Sequence, residues 1–219
     1  HDGGHVLDLA LLVVVGDNHH IARALEVAHG SGEISGRDVA TGKELLTFTG
    51  HTFTTVYIAF SPDGKKLATA SDDKTAKIWA ATTGKELLTL TGHTFTVSGV
   101  VFSPDGTRIA TSSGGRGSPD HTAKVWDATT GKELLTLVGH TAGVNAIAYS
   151  PDGKRLATGG GSADGTIKIW DSNSGQLLMT LIHELGIRNI AYDATGTHLV
   201  SAGSDGKANS RVSCCSAKV

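Results

Sequence analysis

Histidine is the residue of this chain whose grouping most directly suggests chemistry. His19 and His20 lie just after Asp17, His29 follows, and the chain opens on "HDGGH". Imidazole and carboxylate groups bind zinc, but a site needs three or four of them converging on one point. Adjacent residues of a strand point to opposite faces, so this cluster favours a solvated turn over a metal site. Metal binding at His19 and His20 is therefore kept as an alternative, and we expect no cofactor.

Other histidines recur at nearly regular intervals. Successive members of the series are 42, 47 and 43 residues apart, the series being His51, His93, His140 and His183. The motif "GKELLT" also occurs three times. A catalytic centre is normally unique, whereas a repeat of about 40 to 50 residues is typical of propellers or solenoids. We therefore predict a single domain of about five units, approximately residues 4–49, 50–91, 92–138, 139–181 and 182–219.

Each unit is predicted to consist of four short antiparallel strands. In "VVFSPDGTRIATSS" two apolar runs flank "SPDG", where Pro, Asp and Gly suit a hairpin turn. "TAKVWDATTGKELLTL" alternates apolar and polar residues, turns at "ATTG" and continues into another strand. The six residues of "GKELLT" are bounded by glycines and are too short for a helix. The predicted fold class is therefore all-β.

The recurring series resembles the WD40 repeat, a four-stranded blade of a β-propeller. The likeness rests on "GH", "SPDG", "LAT", an Asp-x-Thr step and "K-V/I-W-D", and it covers roughly Gly42–Gly175. It implies four-stranded blades arranged radially about a channel. The close similarity of neighbouring units also resembles repeats of bacterial regulatory proteins, where such propellers are often attached to ATPase, kinase or protease-like domains.

The resemblance further implies a buried hydrogen-bonded set of His, Thr, Asp and Trp in each blade. Carried over by position, the three sets are His51, Thr69, Asp73 and Trp79; His93, Thr111, Asp120 and Trp126; and His140, Thr158, Asp164 and Trp170. Histidine, a hydroxyl and aspartate could also form a hydrolase triad, which requires access for a substrate and an oxyanion-stabilising partner. Three copies beside a tryptophan favour a structural role.

The first and last units depart from the pattern. Val27, Ser31 and Arg37 stand where the hydroxyl, Asp and Trp are expected in the first unit, and Arg211 replaces Trp in the fifth. The family more often has about seven blades, and the fifth unit has room for only three strands. The ring is therefore expected to close without one strand, to stay open, or to be completed by another molecule. Open sheet edges favour self-association, and a larger parent propeller is the other explanation.

The family's partners commonly dock on the upper face, which carries the "GH" loops. Phe53, Phe95 and Arg116 are the predicted anchors there, because aromatic residues beside an arginine are frequent hot spots. Burial of both phenylalanines between blades is the alternative. Tyr57, Ser98 and Asn145 vary between units, so specificity could be encoded at these three positions.

Composition narrows the remaining classes of function. A formal net charge of −2 gives no basic footprint for nucleic acid, and no apolar run is long enough to span a bilayer. We expect a cytoplasmic, non-catalytic scaffold that binds a protein or peptide and has the capacity to form homo-oligomers. A propeller hydrolase or small-ligand-binding protein that uses the channel or the His19 and His20 region is the alternative. A decayed or engineered fragment without function is the third.

Overall fold

The computed structural model describes residues 23–27, 32–38, 40–183, 185–203 and 208–213. Within them every regular element is a β-strand, and no helix long and apolar enough to cross a bilayer occurs among them. The strands pair antiparallel with their neighbours in sequence and form five separate sheets. The all-β fold predicted from the repeats is confirmed.

Three sheets in the middle of the chain have four strands each. The second sheet comprises β4 (Thr55–Phe60), β5 (Lys66–Ser71), β6 (Thr75–Ala80) and β7 (Glu86–Thr91). The third comprises β8 (Val97–Phe102), β9 (Arg108–Ser113), β10 (Thr122–Asp127) and β11 (Glu133–Val138). The fourth comprises β12 (Val144–Tyr149), β13 (Arg155–Gly160), β14 (Thr166–Asp171) and β15 (Leu177–Ile182).

The first and fifth sheets have three strands each in the described residues. The first comprises β1 (Arg23–Val27), β2 (Ile34–Asp38) and β3 (Glu44–Phe48). The fifth comprises β16 (Ile187–Tyr192), β17 (His198–Gly203) and β18 (Ala208–Ser213). In a full sheet the pairing register shifts once between the first and second strands and once between the third and fourth. The pair β2–β3 shows the second of these shifts, so β1–β3 correspond to the second, third and fourth strands. The pair β16–β17 shows the first, so β16–β18 correspond to the first three. The degenerate outer units of the prediction thus each show three strands here instead of four.

The register of the first sheet corrects one assignment made from sequence. Glu26 lies opposite Ser35, just as Thr69 lies opposite Lys77 in the second sheet. The position of the blade hydroxyl is therefore occupied by Glu26, and the assignment of Val27 to it was wrong. The error of one residue arises because the number of residues between β1 and β2 differs from the number between the corresponding strands of the other sheets.

The "SPDG" turns join the first and second strands of the three central sheets. In the second sheet the Ser61 hydroxyl donates to the Asp63 carboxylate at 2.6 Å, and the Gly64 amide donates to the Ser61 carbonyl at 2.8 Å. Gly64 has a φ of 67°, a left-handed conformation that glycine adopts without steric cost. The turns therefore fix the register of each hairpin.

The sheets pack face to face in chain order, and each interface is an apolar cluster. Trp79 packs with Ile34 and Phe48 of the first sheet, and its ring centroid is 5.9 Å from that of Phe48 in an edge-on arrangement. Trp126 and Trp170 occupy the same position at the next two interfaces. Burying each large apolar side chain contributes about 1.5–3 kcal/mol, so these interfaces hold successive blades together.

Candidate functional site

The second sheet brings together the four residues that the family resemblance grouped. His51 Nδ1 lies 2.7 Å from Asp73 Oδ2 and its Nε2 lies 2.7 Å from Thr69 Oγ1. The Trp79 indole donates to the same hydroxyl at 2.9 Å. The Thr52 amide also donates to Asp73, at 3.1 Å. The network therefore ties the "GH" loop to the turn between β5 and β6 and to the third strand.

The third and fourth sheets repeat this arrangement closely. In the third sheet His93 lies 3.1 Å from Asp120 and 2.9 Å from Thr111, and the Trp126 indole donates to Thr111 at 2.8 Å. In the fourth sheet His140 lies 3.0 Å from Asp164 and 2.8 Å from Thr158, and the Trp170 indole donates to Thr158 at 2.8 Å. All twelve residues of the three sets are thus in place in their blades.

Electrostatics fixes the protonation state of these networks. Burial lowers the pKa of His93 below its ordinary value of 6.5, and Asp120 opposes this only in part. Burial alone would raise the pKa of Asp120, but hydrogen bonds from Thr122, Thr94 and His93 lower it to about 2. At neutral pH the imidazole is therefore neutral and the carboxylate charged. Nδ1–H donates to the carboxylate, and the Thr111 hydroxyl donates to Nε2 while accepting the indole N–H.

The hydroxyls of these networks are inaccessible. Thr69, Thr111 and Thr158 are each 0% exposed, and each hydroxyl already serves both a histidine and a tryptophan. A nucleophile must reach a substrate carbonyl, and these three oxygens cannot do so in this packing. The arrangement can hold loops and strands in place.

A second repeated network was missed by the sequence reasoning. Lys77 Nζ donates to Glu86 and to Thr89 at 2.9 Å each, and lies 6.0 Å from the centroid of the Trp79 ring. The third sheet repeats it with Lys124, Glu133 and Thr136. In the fourth sheet Lys168 reaches Thr180 at 3.3 Å, and Leu177 occupies the place of the glutamate. The spacing of Lys and Glu around Trp79 and Trp126 was the available signal.

The outer sheets lack the complete set within the described residues. Arg37, which stands in place of the tryptophan, has its guanidinium 3.8 Å from the carboxylate of Glu44. In the fifth sheet His183 Nδ1 lies 3.2 Å from the Leu185 carbonyl, and Asp205, which the sequence places at the position of the blade aspartate, is outside the described residues. These two sheets therefore use other local contacts.

The "GH" loops and the turns between second and third strands lie at the same end of the sheets, and this end is called the upper face. Phe53 projects from it and is 62% exposed. Phe95 is half-buried, with its ring against Gly115. Two of the variable residues of the first strands lie elsewhere.

Tyr57 is half-buried against the core between the second and third sheets. Ser98 donates to the Val144 carbonyl of the next sheet at 2.7 Å. Tyr57 and Ser98 thus lie between sheets rather than out on the face, contrary to expectation.

A cleft of about 690 Å³ opens on the upper face over the third, fourth and fifth sheets. Arg116 and Asn145 both line it, and the Asn145 side-chain oxygen accepts the Gly115 amide at 3.0 Å. The sequence reasoning missed His121, Thr141 and Arg188, which also line the cleft, as do Ser118 and Ser162. Phe53 lies outside the lining.

Bulges in the first strands help to explain why Asn145 and Arg188 line the cleft, although the bulged Ser98 bonds to the next sheet instead. The pairing of each first strand with the second skips one residue, the skipped residues being Val56, Ser98, Asn145 and Arg188. A bulge re-aims the side chain of its extra residue. The bulge in β4 holds Val56 and not Tyr57, which explains why Tyr57 packs into the core. The four bulged side chains all differ.

The structure does not test the alternative of a metal site at His19 and His20. His19 and His20 lie outside the described residues. Elsewhere, the described part of the chain contains no group of three His, Cys, Asp or Glu side chains that could hold a metal ion.

The comparison with protein families decides the classification. The model "WD domain, G-beta repeat" matches residues 42–80, 84–127, 131–171 and 175–216. The chain belongs to the WD40 family. Each matched segment begins with the outer strand of one sheet and ends with the third strand of the next, so the WD40 repeat and the blade are offset by one strand.

Curated relatives of this WD40 chain match it over short segments. A target of rapamycin complex subunit, wat1 of Schizosaccharomyces pombe, is 44% identical over 54 residues, which are 24% of this chain and 17% of that protein. The B-type cell cycle switch protein ccs52A of Medicago truncatula is 44% identical over 39 residues, 18% of this chain and 8% of that protein. Both relatives are eukaryotic, so they do not support the expected bacterial type of repeat.

Among solved structures, a chain in the crystal structure of the mitotic checkpoint complex superimposes with a TM-score of 0.74. The alignment covers 83% of this WD40 chain and 58% of the other, at 22% identity. At this level of identity the likeness supports the propeller fold alone.

Proposed function

We propose that the chain is a non-catalytic interaction module that binds a protein or peptide on its upper face. The observation that carries the proposal is the cleft of about 690 Å³, which collects loops from three successive sheets over a rigid frame. Pockets of about 300–1,000 Å³ are typical of ligand sites, and a few residues of an extended peptide suit that space.

The chemistry of the frame supports binding rather than catalysis. The His, Thr and Asp residues that could resemble a triad are buried in hydrogen bonds to one another. The exposed side chains of the upper face, such as Phe53 and Arg116, suit contacts with a partner. The name of one relative adds support, because wat1 is a subunit of a complex.

The test is to select a phage-displayed peptide library on the purified chain and on two variants. Ala142 lines the cleft and is half-buried, so Ala142→Trp should fill the cleft without changing its charge. Lys154 is exposed in the turn between β12 and β13, at the opposite end of the sheets. We expect selected peptides to lose binding to Ala142→Trp and to keep it with Lys154→Ala. Peptides that bind Ala142→Trp as well as the original chain would refute the upper-face site.

A further inference from the structure

We infer that the cleft selects an acidic peptide segment, whose Asp or Glu side chains pair with Arg116 and Arg188. The inference rests on the proposed function and specifies the chemistry of the partner. Its first basis is the charge of the cleft. The lining contains both arginines and His121, and no Asp or Glu is among the lining residues.

The two guanidinium groups are available to a ligand. Both arginines are exposed, and no salt bridge to either was found among the described residues. Arginine remains charged at all physiological pH values and binds carboxylates through two parallel hydrogen bonds. The chain as a whole carries a formal net charge of −2, so the positive charge is a local property of the cleft.

The position of the arginines indicates a ligand with more than one separated charge. Arg116 lies in the loop between β9 and β10 of the third sheet, whereas Arg188 is the bulged residue of β16 in the fifth sheet. The loops of the fourth sheet, with Thr141 and Gly161, lie between them in the lining. Because the two arginines belong to loops of different sheets with the fourth sheet between them, a chain that carries two acidic side chains suits them. This favours an acidic peptide.

The walls of the cleft allow a peptide backbone to approach closely. Gly115, Gly117, Gly143, Gly161 and Gly186 all belong to the lining. A Cβ atom on Gly186 would collide with the Ser162 amide nitrogen, and one on Gly143 would lie 2.9 Å from the Ser118 Cβ. The loops of neighbouring sheets therefore pack tightly against one another at Gly143 and Gly186. Gly115 and Gly117 are exposed, so their main chain is accessible to a ligand. Main-chain groups suit an extended peptide.

Asn145 and Thr141 add neutral polar groups between the two charges. The Asn145 oxygen is already used by the Gly115 amide, and the Thr141 hydroxyl donates to Asp164. The remaining amide hydrogens of Asn145 can donate to a peptide carbonyl. The arginines are thus the groups that distinguish acidic from neutral peptides.

The test uses fluorescence anisotropy with four labelled eight-residue peptides. One is rich in Asp and Glu, the second carries Asn and Gln at those positions, the third carries Lys, and the fourth carries a single phosphoserine in the neutral sequence. We expect the acidic peptide to bind at least about tenfold more tightly than the neutral one, because charge-assisted hydrogen bonds to arginine are stronger than neutral ones. Its affinity should fall as salt is raised.

Three charge variants locate the effect. Arg116→Gln and Arg188→Gln should each weaken the acidic peptide by roughly tenfold and leave the neutral peptide unchanged. Lys154→Gln removes the same charge from the opposite face and should change the acidic peptide by less than about twofold. All three side chains are exposed, and thermal melting should confirm that each variant folds.

Several results would overturn the inference. It fails if the neutral peptide binds as tightly as the acidic one, if Lys154→Gln weakens binding as much as Arg188→Gln, or if the phosphoserine peptide alone binds. If Ala142→Trp blocks peptide binding while both Arg→Gln variants bind normally, the acidic selectivity is wrong and the upper-face site stands. If Ala142→Trp has no effect, the proposed function itself is wrong.

Discussion

The Thr111 hydroxyl accepts the indole N–H of Trp126 at 2.8 Å and is 2.9 Å from His93 Nε2. Thr111→Val preserves the shape of the side chain and leaves a buried donor and a buried acceptor without partners. We expect a loss of about 1–3 kcal/mol in the free energy of unfolding, measured by urea denaturation. Thr111→Ser keeps the hydroxyl and should lose less than about 1 kcal/mol. Equal losses in the two variants would show that the hydrogen bonds contribute nothing.

The pH dependence of stability should follow from the same networks. Burial lowers the pKa values of His51, His93 and His140 in the folded state. The unfolded chain therefore binds more protons than the folded one just below pH 6.5, so stability falls as the pH drops through that region. The depressed pKa of Asp120, about 2, adds a further loss below about pH 4.

Thermal melting from pH 8 to pH 3 measures the pH effect, and histidine ring protons in NMR spectra report each imidazole separately. The three histidines should titrate below pH 6.5. A melting temperature that is constant from pH 8 to pH 5 would contradict the assignment of neutral imidazoles. An Asp120→Asn variant should show a smaller loss below pH 4 than the original chain, because the titrating carboxylate is gone.

Tyr149 offers an opportunity to gain stability. It is the last residue of β12, its hydroxyl is buried, and no hydrogen-bond partner for that hydroxyl exists among the described residues. Burial also raises the pKa of Tyr149. Tyr149→Phe removes the unsatisfied group and keeps the ring, so we expect a gain of about 1 kcal/mol in the free energy of unfolding. A clear loss of stability on calorimetry would indicate a bound water at this hydroxyl; Tyr149→Leu, which removes the ring, should destabilise.

The fourth sheet can be given the carboxylate that its neighbours have. Leu177 lies opposite Trp170 as Glu86 lies opposite Trp79, and it is 42% exposed. Leu177→Glu should place a carboxylate near Lys168 and stabilise the sheet by about 0.3–1 kcal/mol. The control is Leu177→Gln, which lacks the charge. The gain should diminish in 1 M NaCl, and an equal effect of the two substitutions would exclude an ion pair.

The repeated part of the fold could be predicted because its signals are local. "SPDG" specifies a turn whose serine and aspartate bond to each other within three residues, as in Ser61 and Asp63, and the alternation of "TAKIWA" specifies a strand. The regular spacing of the histidines of the "GH" loops then allowed the boundaries of the units to be set. The first unit has no such signals, and the assignment of Val27 was wrong by one residue.

The candidate site was harder to predict because it depends on how separate loops meet. Arg188 lies far along the chain from Arg116, and only the stacking of three sheets brings them to one cleft. The bulges that place Asn145 at the cleft and Tyr57 against the core depend on pairing registers, which one sequence does not reveal. The Lys77 and Glu86 pair was visible in the repeats, but polar residues on a strand are usually attributed to solvent exposure.

The one-strand offset between repeat and blade has a consequence for how such chains change in length. Duplicating or deleting one repeat inside the array inserts or removes an outer strand together with the next three strands. Every interior sheet then still contains four strands, and only the number of blades differs. Copy number can therefore drift between descendants of one gene without any sheet having to be rebuilt.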